Sequence, residues 1–180
     1  MEINTIKELI FWSYANLAMA HSAVTNKQQT YSRINFMVRS RLYKGLMAGK
    51  MEIGSIFEDE RIKMLSGSCC SYCGYTMNLS IDHVFAQKFG GTDDADNLVC
   101  VCKSCNSSKG AKDMVEWFSS QDKFPPLLLL RRYLKLIYKF CLQNQLLDNS
   151  VAEVDDSLFP FHFRSIPVEF PKPEKLILNY

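Results

Sequence analysis

Apolar residues change their spacing twice along the chain. From about Asn4 to Asn26, Ile6, Leu9, Ile10, Tyr14, Leu17 and Met19 recur mostly every three or four positions, the period of one helix face. A second helical stretch covers Tyr31 to Met47. Thr30 is its candidate N-cap, and Ile34, Met37, Val38, Leu42 and Leu46 form its apolar face. After Gly54 a short helix fits Ser55 to Leu65, followed by the loop Ser66-Gly67-Ser68. From Cys69 the runs shorten to β-like stretches, Leu79 to Phe85 and Leu98 to Val101, separated by the polar loop Gly90 to Asp96. Helical spacing resumes near Lys103 to Asn106 and continues through Trp117. Pro125-Pro126 can open another long helix, to about Leu147, because a proline's missing N–H costs little in a first turn. The tail from Pro160 carries four prolines and alternating apolar residues, which predicts extended chain wrapped on the surface. The pattern predicts an α+β fold, mostly helical. Residues 1–65 form a helical extension, 66–120 a small β-containing core, and 121–180 a helix with an extended tail.

Composition narrows this little. The 180 residues are 47% hydrophobic and 22% charged, which argues against disordered and fibrous classes. The net charge of +2 says less than its distribution. Lys27 to Lys50 holds six basic residues and no acid, Lys123 to Lys139 holds five and no acid, and acids gather between Asp148 and Asp156. Acid-free basic blocks are compatible with a polyanion, although many are only solvated faces. The longest apolar run, Phe124 to Leu130, is far short of the roughly 18 residues of a membrane span. No basic stretch precedes an apolar one at the N-terminus, so a cytoplasmic location with no membrane partner is expected.

Seven cysteines without a secretion signal argue against a disulfide framework. Cys70-Ser71-Tyr72-Cys73 and Cys102-Lys103-Ser104-Cys105 are two C-x-x-C pairs, the spacing of a closed tetrahedral four-cysteine site for structural Zn2+. Cys69 competes with Cys70 for the first ligand position, though the two-residue spacing favours Cys70. Cys100 and Cys141 fit small core residues. The pairs are separated by 28 intervening residues, more than the roughly 15–20 of a plain zinc ribbon, and the insert carries the remaining chemistry.

That insert contains Ile81-Asp82-His83-Val84, then Asn97, and the second pair leads into Asn106-Ser107-Ser108-Lys109-Gly110. Taken in order, C-S-Y-C-G, I-D-H-V, G-G-T, D-N-L-V and C-K-S-C-N-S-S-K-G resemble the HNH endonucleases, the zinc-stapled ββα-metal nucleases, over roughly a quarter of the chain. Phosphodiester hydrolysis needs an attacking water, a base, and a cation to offset developing charge. His83 is the candidate base. Asp82 and Asn106 offer the oxygen ligands that Mg2+ or Mn2+ prefers. The resemblance implies the same catalytic roles, and adds that Asn97 orients the loop and supports His83 through hydrogen bonds. Its last motif position is often histidine. Asn106 stands there instead, which favours Mg2+ or Mn2+ over softer ions. Lys109 shares a helix face with Asn106 and is placed to meet phosphate.

Outside the motif, Arg39, Arg41 and Lys44 among aromatics, and the stripe Arg131, Lys135, Lys139, are candidate nucleic-acid tracks. His21 and His162 read as structural or surface residues. The expected function is a metal-dependent endonuclease on DNA, with RNA left open; the resemblance implies that its products carry 5′-phosphate and 3′-hydroxyl ends. Restriction or phage defence is the setting that analogy suggests. Cutting both strands would call for a homodimer, a second encounter or an operon-encoded partner. Two rivals stand beside it: a zinc-stabilised binding module without turnover, and a nuclease effector silent until a partner acts.

Overall fold

The computed structural model describes residues 2–56 and 69–179. The short helix expected over Ser55 to Leu65 and the loop at 66–68 lie outside those residues from position 57 on. The described residues contain five α-helices and one two-stranded antiparallel sheet: α1 (Ile6–Thr25), α2 (Arg33–Met47), β1 (Leu79–His83), β2 (Leu98–Cys102), α3 (Lys103–Lys109), α4 (Met114–Ser119) and α5 (Leu127–Gln143).

Helix α1 is opened by a capping box. Thr5 Oγ1 accepts from Glu8 N at 3.2 Å, and Glu8 Oε2 accepts from Thr5 N at 3.0 Å. Its apolar residues face several directions, and it lies between α2 and α5, burying Ile6, Ile10, Leu17 and Ala20. Helix α2 starts two residues later than Thr30 would place it. Ser32 is the cap, and Asn35 returns a bond to Ser32 N at 2.8 Å. That box turns Asn35 inward, to 1% exposure, and Leu46 with it. Ile34 and Met37, expected on the buried face, are 69% and 61% exposed.

The strands pair in register, with Asp82 opposite Val99 and His83 opposite Leu98. The helix expected over 103–117 is two helices. Gly110, at φ +53°, ends α3, and Asp113 restarts the chain by accepting from Val115 N and Glu116 N at 2.8 and 3.1 Å. The other Asp113 oxygen accepts from Tyr133 Oη on α5, so the small core is bolted to the long helix. Helix α5 ends at Gln143 rather than near Leu147. Its first-turn donors Leu127 N and Leu128 N are met by the carbonyls of Ile177 and Leu178 at 2.8 and 3.0 Å.

The tail is no surface wrapping. It makes short 3-10 turns and buries Phe161 and Phe163. Phe161 packs tilted against Phe85 beyond β1, with ring centroids 4.9 Å apart, and edge-to-face against Phe140 of α5 at 5.4 Å. Burying a phenyl side chain contributes roughly 1.5–3 kcal/mol, so these rings join core, α5 and tail into one apolar cluster.

His162 adds a pH-dependent tie. Burial opposes its charge, but the Glu116 carboxylate, 2.6 Å from Nδ1, outweighs burial with help from Asp113 and Asp156, and its pKa is raised. A proton bound more tightly in the folded state stabilises below the unfolded value of about 6.5 and ceases to do so as pH rises through the folded value. The melting temperature of the protein is therefore expected to fall relative to His162→Gln across that window. Parallel melting curves against pH for the two proteins would remove this tie. Both partners are well exposed, so the effect is small.

Candidate active site and metal centre

Two tight turns bring four thiols together. Cys70 N donates to Tyr75 O, and Gly74, at φ +77°, donates to Cys70 O, closing the first C-x-x-C turn. The second turn sits at the β2–α3 junction, where Cys102 is both the last strand residue and the N-cap of α3. The Sγ atoms of Cys70, Cys73, Cys102 and Cys105 lie within 4.8 Å of one another, with Cys73 and Cys102 at 3.9 Å. Tetrahedral ligands about 2.3 Å from one Zn2+ stand about 3.8 Å apart, so the cluster fits that ion. Tyr72 N and Cys105 N donate to Cys70 Sγ and Cys102 Sγ at 3.4 Å. Burial pushes the Cys70 and Cys105 thiols up, so a bound cation is what would keep them ionised. Cys69 and Cys100 are not in the cluster, which settles the first position on Cys70; Cys141 is buried on α5.

Inside the first turn stands Tyr72, 2% exposed and packed against Trp117 and Phe118. Its hydroxyl donates to Asp82 Oδ2 at 2.8 Å. Burial, then the Asp82 charge, holds the phenol well above its usual pKa, so it remains a donor. Nothing in the sequence marked Tyr72, because a residue between two cysteines reads as a spacer.

Asp82 is 7% exposed; it accepts hydrogen bonds from His83 N on Oδ1 and from Tyr72 Oη on Oδ2, both at 2.8 Å, and Lys109 Nζ forms an ion pair with Oδ2 at 3.1 Å. A carboxylate has about four lone-pair positions, which leaves one on Oδ1. Lys109 does not reach out to phosphate as its helix position suggested. Its side chain is 0% exposed, and Nζ also donates to His83 O at 2.9 Å. A carboxylate drawn this far inside needs a counter-charge, and Lys109 supplies it.

Asn106, in the first turn of α3, donates through Nδ2 to Ser80 Oγ at 3.2 Å and to Ile81 O at 3.1 Å. Helix and strand are therefore joined one residue before Asp82. Asn106 Oδ1 has no hydrogen-bond partner among the described residues. One carboxylate oxygen and one amide oxygen form a donor set suited to a hard divalent cation.

His83 is half-buried, and its Nε2 lies 2.8 Å from Asp93 Oδ1. Asp93 is the second group the sequence left unmarked, lost among the acids of a polar loop. Asn97 supports the loop but makes no bond to the imidazole. Its Oδ1 accepts from Phe85 N at 2.7 Å, and its Nδ2 donates to Phe85 O and Thr92 O. The loop is narrow where Gly91 passes Phe85: a Cβ on Gly91 would sit 1.9 Å from the Phe85 carbonyl oxygen.

Most of the flanking cations expected on nucleic acid are engaged within the molecule. Lys135 is buried, with Nζ on Ser55 O at 2.8 Å. Its stripe neighbour Lys139 meets Asp96 Oδ2 at 2.9 Å, and Arg132 donates to Asp96 O at 2.9 Å. Helix α5 thus holds the loop beside Asn97 rather than offering a track. Arg131 is half-buried, and its charge adds to burial in lowering the pKa of His21. Arg39 stacks on Trp12 at 4.6 Å and donates to Asn16 Oδ1 at 3.1 Å. Arg41 and Lys44 are exposed on α2.

A strand pair followed by a helix, with four cysteines gathered from two turns, is the arrangement expected of a small ββα-metal core. Residues 70–112 match the family model described as HNH endonuclease, and this match points to a nuclease. No curated protein and no solved structure matches the chain. Among the described residues no helix is long and apolar enough to cross a membrane.

Proposed function

We propose that the chain is a divalent-metal-dependent endonuclease that hydrolyses DNA phosphodiester bonds. The observation that carries this reading is the bond from Asn106 to Ile81 O, which fastens the first turn of α3 beside Asp82 and next to the four-cysteine cluster. Asp82 Oδ1 and Asn106 Oδ1 would hold Mg2+ or Mn2+, which when bound offsets the charge developing on phosphate and leaving oxygen. In the tautomer that donates Nε2–H to Asp93, His83 keeps a lone pair on Nδ1 and takes the proton of the attacking water there. Asp93 fixes that tautomer and offsets the positive charge the ring acquires. Tyr72 and Lys109 fix the Asp82 carboxylate, so the ligand is set before an ion binds. Zn2+ held by Cys70, Cys73, Cys102 and Cys105 would be structural, since the four thiolates would fill all of its positions.

The test is incubation of the purified protein with supercoiled plasmid. Nicking is expected with Mg2+ or Mn2+ and none with EDTA, and the new ends should carry 5′-phosphate and 3′-hydroxyl groups. Binding without nicking under every metal would leave a zinc-stabilised binding module instead.

A further inference from the structure

Several described cations are committed within the molecule. Lys109, Lys135 and Lys139 are tied to Asp82, Ser55 and Asp96, and Arg39 to Asn16. On α2 the outcome is different. Arg33, Arg41 and Lys44 are exposed, and among the described residues none has a hydrogen-bond or ion-pair partner. At about 100° per residue, Arg33, Ile34, Met37, Arg41 and Lys44 fall within one sector about 100° wide. Its opposite side is the buried one, carrying Asn35 and Leu46. Ile34 and Met37, at 69% and 61% exposure, are the large apolar residues of this outer face. No acid occurs between Lys27 and Lys50, so nothing on the helix neutralises it.

We infer that the outer face of α2 is the surface on which duplex DNA docks. The inference rests on the nuclease reading for its choice of polyanion, and on charge for the rest. Arg33 to Lys44 extends about 16 Å along the helix, close to five base-pair steps of 3.4 Å. Three unpaired cations over that length match a run of phosphates, and contacts of this kind set register without reading sequence. Ile34 and Met37, between the cations, supply the apolar contact that side chains of this type make with sugars and base steps. An acidic protein would also attract the charges. The cleavage site itself calls for DNA, and α5, the other basic helix, is occupied with the Asp96 loop.

The experiment measures binding of a short duplex to full-length His83→Ala protein as salt is varied, with and without Arg33→Ala, Arg41→Ala and Lys44→Ala together. If all three touch phosphates, the negative slope of log Kobs against log[salt] should become shallower by about 2.7, with the affinity lowered across physiological salt concentrations. Lys172→Ala with Lys175→Ala, removing exposed tail cations, should leave the slope unchanged. An unaltered slope in the triple variant overturns the inference, as does a change of oligomeric state that accounts for the affinity loss, which would make the occupant a second copy. Circular dichroism melting excludes unfolding, and Arg41→Glu, a single exposed change, repeats the test with a larger charge step. Hydrolysis of bis(4-nitrophenyl) phosphate with Mn2+ by the otherwise unmutated protein separates the two readings. It should survive the triple change; its absence from the parent protein would count against the nuclease reading and leave the docking face standing on the binding data.

Discussion

Replacing His83 with alanine is expected to slow plasmid nicking by about 10²–10⁴-fold, the range associated with a positioned general base, while duplex affinity is unchanged. The effect should be clean because His83 meets the rest of the site mainly through its backbone. Its N–H bonds Asp82 Oδ1 and its carbonyl accepts from Lys109, and both bonds survive the substitution. Only the ring and its contact with Asp93 are removed. Asp93→Asn should lie between the two proteins, keeping a polar partner for Nε2 but losing the charge that offsets imidazolium. Rate and affinity measured on the same preparations decide it. A His83→Ala protein that nicks as fast as its parent would take the base role away from His83.

The second large effect follows from the thiols. Elemental analysis is expected to find one tightly held zinc per chain, and Cys105→Ser is expected to lose both the ion and the melting transition of the HNH segment. Structural zinc contributes an apparent 10–16 kcal/mol or so in small domains, about as much as the whole stability of many folded chains. The regular structure of the segment itself is small, two strands of five residues and a helix of seven, and its ties to α5 and the tail do not set the two cysteine turns. Losing the staple would release Tyr72 from Asp82 and Asn106 from β1, so nicking should vanish with the fold. Cys100→Ala, outside the cluster, serves as the comparison and should keep its zinc. A protein free of zinc, or a Cys105→Ser variant with unchanged melting, contradicts the staple.

The sequence was most informative where chemistry is written in spacing. Two C-x-x-C pairs specify their own geometry, and the structure brings those four sulfurs together. The strands around Asp82-His83 and Leu98-Val99, and the helices over α1 and α2, also follow from local periodicity. What was hidden depends on contacts between distant segments. Tyr72 acquires its role only because the knuckle folds against β1, and Lys109 turns inward only because Asp82 is buried. The cations of α5 look like a polyanion track in a helical projection, yet distant residues claim them, Asp96 taking Lys139 and Ser55 taking Lys135. The face of α2 was misread because an apolar period cannot show which way a polar capping residue will rotate the helix. The tail was misread because prolines and alternating residues do not reveal that Phe161 has Phe85 to pack on.

Cys102 ends one element, begins the next and belongs to the metal cluster. One residue inserted or deleted there would swing Asn106 about 100° around the helix axis, off the Ile81 carbonyl and away from Asp82. Length changes over evolution are therefore barred from this joint. They can accumulate in the helical flanks, whereas the excursion between Phe85 and Asn97 is held to its length by the passage of Gly91 beside Phe85 and by Asp93 on His83.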